Sequence, residues 1–178
     1  MSNLLFIGGI HGAGKGTICR KICEQTKLIH LTASNVLKWD EISNVDNKKV
    51  KDIPLTQARL IEGLRKYEND KNDYLLDGHF CLFNSHGDVE KIPIETFKEI
   101  SPKLVIVVTA EAKIIQDRLR NRDDTVYSSE TLEHMQSAEV TYATEIASLL
   151  KVPFIEIKDC DLTEFINYYR HKLYLTNG

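Results

Sequence analysis

Short continuous apolar runs alternate along the chain with longer stretches in which apolar residues recur at helical spacing. Such short runs are typical of buried strands, and the longer periodic stretches are typical of helices. The predicted strands are residues 3–8, 29–32, 74–76, 104–108 and 153–157. The predicted helices are residues 15–27, 34–42, 54–67, 111–122, 129–150 and 161–174. This alternation predicts an α/β fold, a five-stranded parallel sheet with helices on both faces.

Two stretches interrupt the alternation, of which residues 44–52 are polar. Residues 44–52 are predicted to be a mobile connection, and residues 80–93 a long loop. A loop of that length in a compact domain usually has a function. Because no linker, repeat or low-complexity tract divides the chain, we expect residues 1–178 to form a single domain. We expect ligands to bind at the carboxyl ends of its strands.

The clearest chemical signal lies between the first predicted strand and the first predicted helix. The pattern G-x-x-x-x-G-K runs from Gly9 to Lys15, and this strand–loop–helix context is the one that defines a P-loop. Glycines let backbone N–H groups turn inward around phosphate oxygens, and the helix N-terminus favours negative charge there. Lys15 is predicted to reach the β- and γ-phosphates of a nucleotide.

The residues around Lys15 also bear on magnesium. Many P-loops place a metal-binding Ser or Thr directly after the lysine, but here Gly16 stands there and Thr17 follows. Magnesium must therefore be held through water or by a carboxylate elsewhere. Asp77 is the candidate, because it ends an apolar strand and precedes Gly78. Alternatively, Asp77 takes a proton from an acceptor, or it only caps or turns the chain after that strand.

Three arginines follow the buried strand at residues 104–108. Arg118 and Arg122 are four residues apart and share a helix face, whereas Arg120 points elsewhere. Phosphoryl transfer needs cations over the equatorial oxygens at the transition state. The pair is therefore predicted to belong to a short lid at about residues 118–130. A solvated charged face is the alternative.

Candidates for an acceptor site carry weaker signals. Lys38 and Arg59 are predicted to receive an acceptor phosphate, with plain surface charge as an equal alternative. His79, Gln136 and Glu139 are candidates for the lining of an acceptor pocket, although a histidine after a strand is often structural. His11, in the P-loop, is interpreted as a residue that shapes the loop.

Charge and cysteine content narrow the class of protein. With 23 Lys and Arg against 26 Asp and Glu, the net charge of −3 argues against a dedicated nucleic-acid binder. No apolar run approaches the length of a membrane span. Metal binding by the cysteines would need Cys-x-x-Cys-like spacing, which is absent. We therefore expect buried thiols in a reducing cytoplasm. The four cysteines are Cys19, Cys23, Cys81 and Cys160.

Three motifs together resemble the adenylate kinase-like nucleoside monophosphate kinases. They are the P-loop spelling G-K-G-T, the strand end Leu75–Gly78, and Asp117–Arg118-x-x-x-Arg122 after a buried strand. The Asp-x-His at Asp77 and the short lid look most like the archaeal-type adenylate kinases. The resemblance implies a P-loop nucleotide kinase that transfers the γ-phosphate of Mg-ATP to AMP or a similar acceptor.

The same resemblance implies roles for individual residues. ATP would be bound by Gly9, Gly12, Ala13, Gly14, Lys15, Gly16, Thr17 and Arg118. Asp77 would position Mg²⁺ through water, while Arg118 and Arg122 would hold the transferring group. Ala33 and Lys38 would lie where bacterial-type enzymes bind the acceptor, within helices at about residues 33–72.

Departures from the family pattern leave other functions open. The arginine that bacterial-type enzymes carry shortly after Asp-Gly is absent, and the predicted helix 129–150 contains no arginine. The alternatives are a kinase of another small molecule, such as a nucleoside or sugar acid, and an ATPase switch that acts with a protein partner.

Overall fold

A computed structural model describes residues 3–37, 53–67, 71–83, 89–123 and 127–176. The strands are β1 (Asn3–Gly8), β2 (Ile29–Thr32), β3 (Asp73–Asp77), β4 (Cys81–Phe83), β5 (Val89–Lys91), β6 (Leu104–Thr109) and β7 (Phe154–Lys158). The helices are α1 (Lys15–Gln25), α2 (Ala33–Leu37), α3 (Ile53–Leu64), α4 (Ile94–Ile100), α5 (Ala112–Asp123), α6 (Ser129–Leu150) and α7 (Thr163–Thr176). A short 3-10 turn, Arg65–Tyr67, extends α3. No helix in these ranges is long and apolar enough to cross a membrane.

The main sheet has five parallel strands in the order β2-β3-β1-β6-β7. Side chains of its central strands alternate between two buried cores, one on each face. In β1, Leu5 and Ile7 belong to the core that includes residues of α1, α5 and α7, whereas Phe6 belongs to the core that includes residues of α3, α4 and α6. A strand buried on both faces needs a continuous apolar sequence, as β6 has. The predicted parallel sheet with helices on both faces is confirmed.

Residues 80–93 are not the long loop that the sequence predicts. Their described parts form an antiparallel hairpin of β4 and β5, and the unpredicted helix α4 follows. The hairpin is fixed from α6: the Tyr142 hydroxyl donates to the Ile92 carbonyl at 2.6 Å. These contacts join residues far apart in sequence, so local pattern did not reveal them. The predicted connection at residues 44–52 lies outside the described residues.

Candidate active site

The P-loop leaves β1 through a tight approach to β6. Gly9 has φ +144°, and a Cβ built on it would lie 2.6 Å from the Val108 carbonyl oxygen, so only glycine fits. Gly14, at φ +103°, precedes the first residue of α1 and supplies no side-chain cap. The first N–H groups of a helix lack intrahelical partners, and here no capping side chain takes their place. The loop therefore presents backbone donors and a helix N-terminus to an anion.

Two cations meet at this loop. The Lys15 ammonium donates to the Gly9 carbonyl at 2.7 Å. Arg118 comes from α5, and its Nη1 donates to the carbonyls of Gly12 at 3.0 Å and Ala13 at 3.1 Å. The structure thus brings Arg118 to the P-loop from more than 100 residues away. The side chain of Arg122 lies outside the described residues.

A pocket of about 470 Å³ lies in front of the loop. It is lined by Gly12, Gly14, Lys15, Gly16, Thr17, Asp77 and Arg118, among others. Asp77 ends β3 in register with Ile7 and Thr32, which places it at the carboxyl edge of the sheet. Within the described lining, Asp77 carries the only carboxylate. A Cβ on Gly16 would meet no atom within 4 Å, so that position is open and offers no side-chain oxygen.

A second pocket, of about 280 Å³, adjoins the first. Most of its lining is apolar and comes from β1, α2, α3, β4, α4 and Ile92, which follows β5. The polar lining comes from Ser34, Thr56, Gln57, Thr96 and two histidines. The residues that line both pockets are His11, Ala33, Ser34, Gly78 and His79. The two pockets are therefore neighbouring parts of one cleft.

The predicted acceptor residues are only partly brought together. Ala33 and His79 line both pockets, whereas Lys38 lies outside the described residues. Arg59 lies on the exposed side of α3 and does not line the apolar pocket. It is two residues from the buried Gln57, and residues two apart on a helix do not share a face. Thr56 and Gln57 line the pocket in its place. Two uncharged polar residues between Leu55 and Ala58 gave no distinctive signal in the sequence.

Gln136 is placed away from the apolar pocket. Its side-chain oxygen accepts from the Ala110 N–H, and its side-chain nitrogen donates to the Ala110 carbonyl, both at 3.0 Å. It borders a separate pocket beside Thr109 and Glu156. These two bonds secure the backbone just after β6, so the expected acceptor role of Gln136 is corrected to a structural one.

Glu139 lies buried behind His79 rather than in the lining of either pocket. Its carboxylate accepts from the N–H groups of Phe80 at 3.0 Å and Cys81 at 3.3 Å. Burial raises the pKa of Glu139 to about 7, while Lys15 and the two N–H donors oppose the rise. This carboxylate orients the backbone that follows Asp77.

His79 is neutral at pH 7. Burial, and then the charge of Lys15, lower its pKa to about 3, with Asp77 acting in the opposite direction. The 3.6 Å approach of its Nδ1 to Glu139 is therefore not an ion pair. The His11 ring packs against it with centroids 4.6 Å apart. These two rings form the boundary between the pockets, a role that the P-loop position of His11 does not reveal.

Replacing Glu139 or His79 should change the pH dependence of stability, with opposite signs. Glu139 has a folded pKa of about 7 against 4.5, so the folded protein binds more protons between those values and stability falls as pH rises. His79 has a folded pKa of about 3 against 6.5. The unfolded chain binds more protons in that window, so stability rises with pH.

Glu139→Gln should therefore remove the fall in stability with rising pH and leave the rise that His79 causes. His79→Asn should remove that rise and leave the fall. Each contribution is on the order of a few kcal/mol when fully developed. Urea unfolding of each protein across this pH range measures the free energy of unfolding. Glu133→Gln, which removes a carboxylate from the exposed face of the same helix, is the matched control. Parallel curves for the wild type and both buried-site variants would contradict the assignment.

Comparison with known proteins identifies relatives of this chain. Residues 8–136 match the protein-family model AAA_17, described as an AAA domain. Adenylate kinase from Pyrococcus abyssi is 27% identical over 172 residues, which cover 85% of this chain and 86% of that protein. UMP-CMP kinase 3 from Oryza sativa subsp. japonica is 28% identical over 130 residues, covering 67% of this chain and 59% of that protein.

A solved structure, an uncharacterized protein from Eubacterium ventriosum, has the same fold. It aligns with a TM-score of 0.51 at 11% identity, over 96% of this chain and 97% of that one. Because the family model covers more than half of the chain, the protein belongs to the AAA_17 family. It is a P-loop kinase, an adenylate kinase-like phosphotransferase, as its sequence motifs predict.

Proposed function

We propose that the protein transfers the γ-phosphate of Mg-ATP to a nucleoside monophosphate, with AMP as the preferred acceptor. The observation that carries this proposal is the cleft itself. A phosphate-binding pocket adjoins an apolar pocket, and residues such as His11, Ala33 and Gly78 border both. Two substrates bound there would meet at this shared border, which is the arrangement that direct phosphoryl transfer requires.

In this proposal each described residue has a distinct role. The backbone of Gly12–Thr17 holds the ATP phosphates, and Lys15 leaves the Gly9 carbonyl to contact the β- and γ-phosphates. Arg118 is already seated on the loop and adds positive charge where the transferring group passes. Arg122, four residues further along α5, is proposed to join it from the short lid.

Magnesium fits the chemistry of this pocket. A hard cation prefers oxygen ligands and keeps several waters, and Asp77 is the described carboxylate that faces the phosphates. The ion would neutralise charge on the phosphate oxygens during transfer. Asp77 would hold it through water, because Gly16 offers no hydroxyl.

The relatives' names favour a monophosphate acceptor, since they are adenylate and UMP-CMP kinases. The apolar pocket suits the base and sugar, with Gln57 and Thr96 available for hydrogen bonds to the base. A second candidate is an uncharged acceptor such as a nucleoside. It is favoured by one observation: the described lining of this pocket contains no lysine or arginine to hold a phosphate.

The test is ADP formation from Mg-ATP with a panel of nucleoside monophosphates and their nucleosides, and without acceptor. We expect very slow hydrolysis alone, because transfer enzymes exclude water, and a large rise with AMP. A rise in ADP formation with nucleosides only would show that the acceptor is a nucleoside and not a monophosphate. Brisk hydrolysis without any acceptor, unchanged across the panel, would overturn both and favour an ATPase switch with a protein partner.

A further inference from the structure

Three potential metal ligands converge beneath the phosphate pocket. Cys19 lies one helical turn after Lys15 on α1, His30 lies in β2, and Asp77 ends β3. The Cys19 sulfur, a His30 ring nitrogen and an Asp77 oxygen all lie within 4.8 Å of one another. Because these partners come from three separate elements, spacing along the chain did not reveal them.

The His30 ring nitrogen gives an independent reason to expect a ligand here. His30 Nε2 is the only buried side-chain nitrogen or oxygen in the described part of the chain without a hydrogen-bond partner. It lies 3.7 Å from Asp77 Oδ2, which is too long for a hydrogen bond. Leaving a buried polar atom unpaired costs free energy, so a ligand that bonds to His30 Nε2 would be favoured here.

We propose that Cys19, His30 and Asp77 form a binding site for a thiophilic divalent cation of the zinc type. Sulfur, imidazole nitrogen and carboxylate oxygen are the ligands that zinc takes, and a water would complete a tetrahedron. Zinc bonds of about 2.0–2.3 Å at tetrahedral angles place ligand atoms about 3.4–3.6 Å apart. The 3.7 Å separation of nitrogen and oxygen is close to that, and the sulfur needs to move by about an ångström.

The charge of the ligands suits a dication, and the sulfur among them favours zinc over Mg²⁺. Burial, and then the Asp77 charge, raise the pKa of the Cys19 thiol, so binding must release its proton as the sulfur–metal bond forms. The resulting thiolate and the Asp77 carboxylate together balance the dication. Magnesium avoids sulfur ligands, which separates this site from the magnesium that would accompany ATP.

Asp77 connects this site to catalysis. It lines the phosphate pocket, so a cation enters the cluster from there. Once its carboxylate ligates the thiophilic cation, Asp77 is less available to the magnesium that would accompany ATP. The cation should therefore inhibit phosphoryl transfer, a consequence that rests on the proposed function, whereas binding itself does not.

Binding is tested on nucleotide-free protein with Co²⁺ as a spectroscopic substitute for zinc. We expect one equivalent of cobalt to produce a cobalt–thiolate charge-transfer band, and one equivalent of Zn²⁺ to abolish it. Cys19→Ala should remove the band, and His30→Gln should weaken cobalt affinity by at least about tenfold. Cys23→Ala, one turn further along α1, is the matched control and should retain the band.

The cobalt spectra decide whether the site exists, and zinc inhibition decides whether it affects catalysis. No band in the folded wild type, or a band unchanged in Cys19→Ala, would overturn the site. If Cys19→Ala does not fold, His30→Gln decides, because its side chain is 30% exposed and tolerates replacement; unaltered affinity there would also overturn the site. Zinc inhibition of transfer, lost in His30→Gln, would support the link to catalysis. Zinc binding without inhibition would overturn that link and the proposed role of Asp77, while leaving the site supported.

Discussion

Lys15→Ala should reduce phosphoryl transfer by at least about a hundredfold while the protein stays folded. The ammonium projects into the phosphate pocket, and its described hydrogen bonds go to P-loop carbonyls, the nearest at 2.7 Å to Gly9. Alanine keeps α1 helical and removes the charge that would follow the γ-phosphate to the transition state. Steady-state ADP formation with acceptor measures the effect, and thermal unfolding measures the fold.

Lys21→Ala is the matched control, because it removes a lysine from the exposed side of the same helix. It should leave transfer unchanged. In Lys15→Ala, loss of the hydrogen bond from Lys15 to the Gly9 carbonyl should lower the free energy of unfolding by about 1 kcal/mol. A folded Lys15→Ala protein with wild-type turnover would contradict the assignment of this loop as the phosphate site.

Asp77→Asn should lower transfer by about two orders of magnitude or more, and added Mg²⁺ should restore little of it. The substitution keeps the shape of the side chain and removes the only carboxylate in the described lining of the phosphate pocket. The rate is measured as a function of Mg²⁺ concentration at fixed ATP. An unchanged rate and magnesium dependence would show that Asp77 ends β3 but takes no part in phosphoryl transfer.

Asp73→Asn provides the comparison at the opposite end of the same strand. Asp73 accepts a hydrogen bond from the Asn3 side-chain amide at 3.0 Å, and asparagine retains an oxygen that accepts it. This variant should keep both the transfer rate and its magnesium dependence. A loss equal to that of Asp77→Asn would attribute the effect to the strand rather than to the carboxylate beside the phosphates.

The parallel sheet and the P-loop could be predicted because both depend on local sequence. A fully buried strand such as Leu104–Thr109 must be apolar throughout, and the turn from Gly9 to Gly14 needs backbone angles that only glycine readily adopts. Asp77 and Arg118 could be predicted as site residues from their positions in the sequence and from the family resemblance, and the structure places both in the lining of the phosphate pocket.

The rest depends on contacts between distant residues. The β4–β5 hairpin is three residues per strand, too short for a periodic signal, and Glu139 secures it from 58 residues away. Gln136 bonds the backbone of Ala110 instead of facing the acceptor pocket. The cluster of Cys19 with His30 arises only when α1 and β2 pack together. Such placements are set by tertiary packing, which spacing along one element does not encode.

In the proposed reaction the γ-phosphate leaves ATP for a second nucleotide and not for water. This transfer is tested most directly by following an isotopically labelled γ-phosphate in a reaction with AMP and Mg²⁺. We predict that the label appears in newly formed ADP, in equal amount to the ATP consumed, with little inorganic phosphate. Label found only in inorganic phosphate, at a rate independent of AMP, would show that the protein hydrolyses ATP and does not transfer its γ-phosphate to AMP.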